Sequence, residues 1–215
     1  MSTTESIRPL KDVWLRPRRV FRELASRPIS GADYLLAAVQ GVATSIMVYR
    51  TQLSGSNASA AEILLSSVIF GPLVGVVSMV LFAAIYGRLG KRAGGKSARN
   101  QIVHVLAYGG TPVAASLVLW IFTALLVGEP ALIERPGVEI DGFVAFMLRA
   151  QFVSYLLLLL WSVLLQVMGF SEILGLATRK AFGVWVLGQL LWLLLTLFLS
   201  ILISILFPGL ATTAP

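Results

Sequence analysis

The chain has 215 residues, 57% of them hydrophobic and 13% charged, with a mean hydropathy of +0.87 and a net charge of +7. A soluble domain is nearer half apolar and a quarter charged, so an ordinary soluble enzyme is excluded. The absence of cysteine excludes a disulfide framework, a thiolate metal site and a lipoprotein anchor.

Residues 1–30 hold seven basic and three acidic side chains and no continuous apolar core, so no cleavable signal peptide is expected. Within them, WLRPRRVFRELASRPIS places Pro17 at a helix start, with Val20, Phe21, Leu24 and Ala25 on one face. A short basic amphipathic helix of this kind can lie on an anionic cytoplasmic leaflet, with Arg16, Arg18, Arg19 and Arg22 as lipid-surface contacts. A solvated linker that only supplies orientation charge is the alternative. Ser30-Gly-Ala-Asp33 reads as a capping box opening the first span, which makes Asp33 a cap in preference to a proton-relay carboxylate.

No Asp, Glu, Lys or Arg occurs in 63–87, 100–128, 150–171 or 181–215. Each stretch exceeds the roughly 20 apolar residues that cross a hydrocarbon core about 30 Å thick. A fifth, Tyr34 to Tyr49, is shorter but flanked by Asp33 and Arg50, whose charged heads can reach the interface. The fold expected is an all-α polytopic membrane bundle of five transmembrane helices, at about 31–50, 62–87, 101–127, 146–169 and 181–207, with a short N-terminal interfacial helix. Residues 1–30 form a cytoplasmic segment, 31–208 the membrane domain and 209–215 a short extracytoplasmic tail. Fourteen Arg and Lys fall before span one and in the loops after spans two and four, against Arg50, Arg135 and Arg149 on the other side. That asymmetry places the N-terminus inside and the C-terminus outside. It also accounts for the positive charge without nucleic acid.

Between spans one and two, SGSNAS reads as a tight polar turn. In span two, Gly71, Gly75 and Ser78 share a face suited to close helix packing, and Pro72 is expected to bend the helix. GKRAGGKS, residues 90–97, matches a phosphate-loop pattern. That pattern needs a strand before it and a nucleotide-binding α/β domain around it; here it follows a membrane span, and no nucleotide is expected. The next segment, HVLAYGGTPVAAS, carries the only histidine, His104, and a Gly-Gly before Thr111-Pro112. Thr111-Pro112 reads as an N-cap and N1 pair, giving a span from Pro112 to Val127 about 24 Å long. One longer helix bent at Pro112 is the alternative. His104 and Tyr108 share a face either way, packed or interfacial at a structural kink, with a ligand site as the other reading. The outer loop ERPGVEIDG matches no calcium loop. Spans four and five are leucine-rich, and their Trp161, Trp185 and Trp192 assign no function. His104 has no carboxylate at helical spacing on its own face, so neither catalysis nor a metal or other cofactor is expected.

Four features then coincide: the Pro17-to-Phe21 P-x-x-x-F followed by Arg27-Pro28, GGKSARNQIVHVLAYGGTP before the third span, GFSEILGLATRKAF between the last two, and five spans. Together they resemble a bacterial member of the Yip family, the Ypt/Rab-interacting membrane proteins, over nearly the whole chain. The resemblance implies a non-enzymatic five-span protein of a bacterial inner membrane. The Rab-linked role does not carry over, because only about 30 residues precede the first span. It points to Tyr108, Gly109 and Pro112 at the break and to Gly169, Glu172, Gly175 and Lys180 in the last turn. Glu172 is expected either to pair with Arg179 and Lys180 or to dock a partner.

The function expected is a scaffold or accessory subunit. Its partners are anionic lipids at the inner face and another membrane protein, and homo-oligomers are permitted. The alternative is a small-solute transporter or channel gated at Tyr108–Pro112, which predicts a polar cavity lined by Gln166, Thr123 and Ser78. An intramembrane enzyme relying on His104 and Glu172 is the remote third reading.

Overall fold

The computed structural model describes residues 8–52, 59–96, 99–133 and 141–206. Two short helices come first, α1 (Pro9–Asp12) and α2 (Pro17–Leu24). Then follow α3 (Gly31–Gln52), α4 (Ala60–Arg92), α5 (Arg99–Gly109), α6 (Thr111–Val127), a 3-10 turn (Glu129–Ala131), α7 (Gly142–Leu174) and α8 (Thr178–Leu206). No strand occurs among the described residues. Five segments are long and apolar enough to span a bilayer: Gly31–Thr51, Ala60–Arg92, Asn100–Val127, Gly142–Leu174 and Thr178–Leu202. The third joins α5 to α6. This is the expected all-α, five-span architecture. Its outer surface carries exposed Leu125, Leu157, Leu193 and Phe198, an apolar coat suited to lipid and unlike that of a soluble monomer.

The tightest helix pair is α3 with α4, and glycine makes it possible. A Cβ on Gly41 would overlap the carbonyl oxygen of Gly71 and lie 2.7 Å from the Gly75 Cα. Backbones that close exclude any side chain between them, which is the small-residue packing open to membrane helices. Gly71 and Gly75 thus have their partner in Gly41, which sequence periodicity left unassigned. Ser78, grouped with them above, lines a cavity that Gly41 and Gly75 also border. α4 starts with a complete capping box, Ser59 and Glu62, and continues through Pro72. The rest of the SGSNAS turn, the acidic loop at 134–140 and the tail beyond 206 lie outside the described residues.

Two tight structures close one end of the bundle. α7 ends at Gly175, whose left-handed φ of +65° lets the chain reverse. The Leu176 N–H donates to Ser171 O at 3.2 Å, and the Ser171 hydroxyl donates to Leu176 O at 2.8 Å. The phosphate-loop look-alike begins in the last turn of α4, turns at Gly94 (φ +87°), and donates the Lys96 N–H to Leu174 O at 3.0 Å. The glycines serve a turn tied to α7 and are preceded by a helix.

α2 corrects one expectation. Val20 and Phe21 are fully buried and Leu24 nearly so, packed in the same core as Ile102, Val105 and Phe170. Its apolar face therefore lies on the protein, against α5 and α7, and not on the leaflet. The physical reason is the apolar core that α5 and α7 offer it, packed closely at Gly169, where a Cβ would lie 2.7 Å from Val105 Cγ1 and 3.1 Å from Phe21 Cδ2. α2 marks what we call the basic end of the bundle.

Candidate functional site at the helix break

Residues from five helices converge just inside the basic end, around the junction of α5 and α6. Pro112 has no N–H, so the Tyr108 carbonyl loses its helical donor. The Thr111 hydroxyl takes that place, donating to Tyr108 O at 2.9 Å. Gly110, not Thr111, occupies the N-cap position of α6, so the expected Thr-Pro cap is shifted by one residue and its hydroxyl points back into α5.

Neighbouring spans satisfy the other loosened carbonyls. Gln40 Nε2 of α3 donates to Ala107 O at 2.7 Å, and the Ser162 hydroxyl of α7 donates to Gly109 O at 2.9 Å. Gln166 Nε2 donates to Ser162 Oγ at 3.3 Å, while its Oε1 accepts from Trp185 Nε1 of α8 at 3.0 Å. Gly109 and Gly110 admit these amides: a Cβ on Gly109 would meet Gln166 Cγ at 2.8 Å, and one on Gly110 would overlap Gln40. Broken backbone at membrane depth persists where protein groups re-satisfy it in this way.

One turn towards the basic end, His104 is enclosed, with its side chain 2% exposed, and Asp33 is fully buried. Nδ1 lies 2.6 Å from Asp33 Oδ1 and Nε2 lies 3.1 Å from Arg27 O. A carbonyl only accepts, so Nε2 carries a hydrogen. The short Nδ1–Oδ1 contact then holds one further proton, as imidazolium with carboxylate or imidazole with carboxylic acid. The pair is net neutral in either form, which reconciles two ionisable groups with a place at the membrane edge. Asp33 Oδ2 accepts from the Ser30 N–H at 2.8 Å and the Ser30 hydroxyl at 3.0 Å. Asp33 is thus both the expected cap and a partner for His104. The sequence reading missed the second role because the carboxylate lies 71 residues away on another helix. The available signal was depth, since each residue sits near the basic-end terminus of its span.

A second set of bonds fastens the N-terminal segment. Gln101 Nε2 donates to Ala25 O at 2.7 Å, so α5 holds two carbonyls of the linker after α2 through Gln101 and His104. On the α7 side, Arg18 Nη1 and Arg22 Nη2 approach the two Glu172 oxygens at 3.2 and 3.1 Å, and Arg18 Nη2 donates to Thr178 Oγ1 at 3.3 Å. Glu172 therefore binds the N-terminal helix and not Arg179 or Lys180, which are exposed beside it. Of the arginines assigned to lipid, Arg18 and Arg22 make these bridges, Arg19 pairs with Glu23 at 3.2 Å, and Arg16 is exposed. The reason is geometric: i,i+4 spacing puts Arg18 and Arg22 on one side of α2, over the end of α7.

A Yip1 domain family model matches residues 11–205. The chain belongs to the Yip family. No curated protein and no solved structure matches it. The matched range includes α2, so the docked N-terminal helix is part of the Yip domain. So are the break at Tyr108, Gly109 and Pro112 and the turn around Glu172 and Gly175.

The Yip domain also holds a cavity of about 450 Å³ beside the break, bounded by α3, α4, α7 and α8. Gln40, Gln166, Gln189, Ser78 and Tyr86 line it, as do Trp192 and Phe82, whose rings meet tilted at 36° with centroids 4.6 Å apart. Thr123, named with Gln166 and Ser78 for a transport path, is buried elsewhere. Both His104 ring nitrogens are engaged, which leaves none for a substrate or a metal. Among the described residues, no three His, Asp or Glu side chains group as metal ligands.

Proposed function

We propose that this Yip-domain protein is a non-catalytic integral protein of a bacterial inner membrane. Its N-terminus lies in the cytoplasm, and it acts as a scaffold or accessory subunit for other membrane proteins and lipids. The observation that carries this reading is the fastening of α2. Two arginines on Glu172, two linker carbonyls on α5 and the buried Phe21 hold a basic helix across the end of the bundle. Exposed Lys91, Arg92, Lys96, Arg179 and Lys180 surround it. A fixed basic surface of this kind suits an acidic partner or an anionic leaflet.

The test is native extraction followed by intact-mass analysis, on the wild type and on the doubly substituted Arg179→Glu/Lys180→Glu chain. A stoichiometric protein companion that is lost from the double variant supports the scaffold. A companion-free protein in both overturns it. The amide-lined cavity favours a second reading, passage of a small neutral polar solute. That reading requires solute flux in proteoliposomes that Gln166→Leu abolishes.

A further inference from the structure

The opposite end of the bundle holds a second, larger cavity of about 820 Å³, within the range of about 300–1,000 Å³ typical of ligand sites. It lies between α3, α6 and the start of α7, bounded by Met47, Trp120 and Leu148 with the 3-10 turn above. Three observations give it a chemical character. Arg149 and Arg50, the latter over the Trp120 ring, both line it, and Arg149 has no ion-pair partner among the described residues. Gln151, one step deeper on α7, is 5% exposed, and both atoms of its amide lack any hydrogen-bond partner. Phe152 and Val153 line the same space yet are more than half exposed on the lipid-facing surface, so the cavity opens sideways into the bilayer.

An amide buried without a partner is unfavourable, and Gln151 lines the same cavity as Arg149. The order along α7 is cation, neutral hydrogen-bonding group, then apolar wall ending at Tyr155. From Arg149 to Tyr155 the helix rises about 9 Å. That sequence of chemistries matches a membrane lipid read from its head inward: an anionic phosphate, an ester-linked glycerol and the top of an acyl chain. We infer that this cavity is a binding site for one anionic phospholipid, its phosphate on Arg149 and its ester region on the Gln151 amide. Lateral opening favours entry from the membrane over entry from water. The inference concerns the end away from α2 and stands independently of the scaffold reading.

The test uses full-length protein in phosphatidylcholine vesicles containing a minor fraction of photoactivatable phosphatidylglycerol, with cross-links mapped by peptide. Labelling at residues 145–155 is compared with labelling at the basic end in the same sample, which controls for general anionic attraction. Arg149→Gln, at an exposed position, is expected to lower labelling at 145–155 about tenfold, as loss of a charge-assisted hydrogen bond does, and to leave the basic end unchanged. Gln151→Leu, which removes the unpaired amide without opening a void, is expected to lower it as well, with an unfolding midpoint at or above the wild type's. Arg149→Lys is expected to keep most of the labelling. Labelling at 145–155 that neither Arg149→Gln nor Gln151→Leu changes overturns the inference. Equal labelling there by photoactivatable phosphatidylcholine does so too. Displacement by millimolar inorganic phosphate identifies a site for a soluble anion and overturns the lipid assignment.

Discussion

Replacing His104 by leucine keeps most of the side-chain volume but removes both of its hydrogen bonds. The carboxylate of Asp33 then faces apolar side chains on its Oδ1 side, and the Arg27 carbonyl loses its donor. Two magnitudes compete. An ordinary side-chain hydrogen bond between membrane helices contributes on average about 0.6 kcal/mol, whereas removing one member of a buried ion pair costs about 3–5 kcal/mol. Side-chain exposures of 2% and 0% put this pair in the second class, so His104→Leu is expected to destabilise by about 3 kcal/mol or more. Asp33→Asn retains an acceptor for Ser30 and an N–H for an imidazole, and is expected to lose about 1 kcal/mol, the net worth of an ordinary hydrogen bond. In the Asp33→Asn background, His104→Leu strands no charge and is expected to cost about 1–2 kcal/mol. The cycle therefore predicts a coupling of roughly 2 kcal/mol between the sites. The assay is reversible unfolding in mixed micelles with increasing dodecyl sulfate, followed by helical circular dichroism. A single-variant loss below 1 kcal/mol, or strict additivity in the double variant, refutes the assignment of a buried one-proton pair.

Gly41→Leu is expected to force α3 and α4 apart, because even a Cβ overlaps the Gly71 carbonyl. A loss of at least about 1–3 kcal/mol is anticipated in the same unfolding assay, with Gly183→Leu, where a Cβ meets nothing within 4 Å, as the neutral control. Glu172→Gln should change global stability by less than about 1 kcal/mol, since the arginines it releases are 53% and 74% exposed. Phe21→Ala removes a fully buried ring and should cost about 3–5 kcal/mol. Hydrogen exchange over residues 17–24 should separate the two, rising modestly in the first and strongly in the second. Pro112→Ala restores a backbone N–H below the Tyr108 carbonyl and is expected to straighten the α5–α6 junction. Spin-label distances across 99–127 would report it, from cysteines introduced into a chain that has none, and an unchanged distance would show that the Gln40 and Ser162 contacts, not the proline, hold the break.

The five spans were legible in the sequence because the requirement that creates them is local. Each segment entering hydrocarbon must be apolar and satisfy its own backbone hydrogen bonds, so the charge-free runs between Asp33 and the C-terminus reveal their number and approximate limits. The interruption at Gly109–Pro112 was legible for the same reason, since a missing N–H is a property of one residue. Even the amphipathic face of α2 was visible from spacing alone. What covers that face was not. Its burial depends on α5 and α7, far away in the chain, and the roles of Arg18 and Arg22 depend on where α7 ends. Likewise His104 acquired a carboxylate, Gly41 acquired Gly71 and Gly75, and the loosened carbonyls of α5 acquired donors only once α3, α4 and α7 stood beside one another. Hydrophobicity determines which segments enter the membrane. It leaves their neighbours open, because lipid solvates every apolar helix face almost equally well. Tertiary structure decides those neighbours through the few places where backbone meets backbone or a polar group must find its complement.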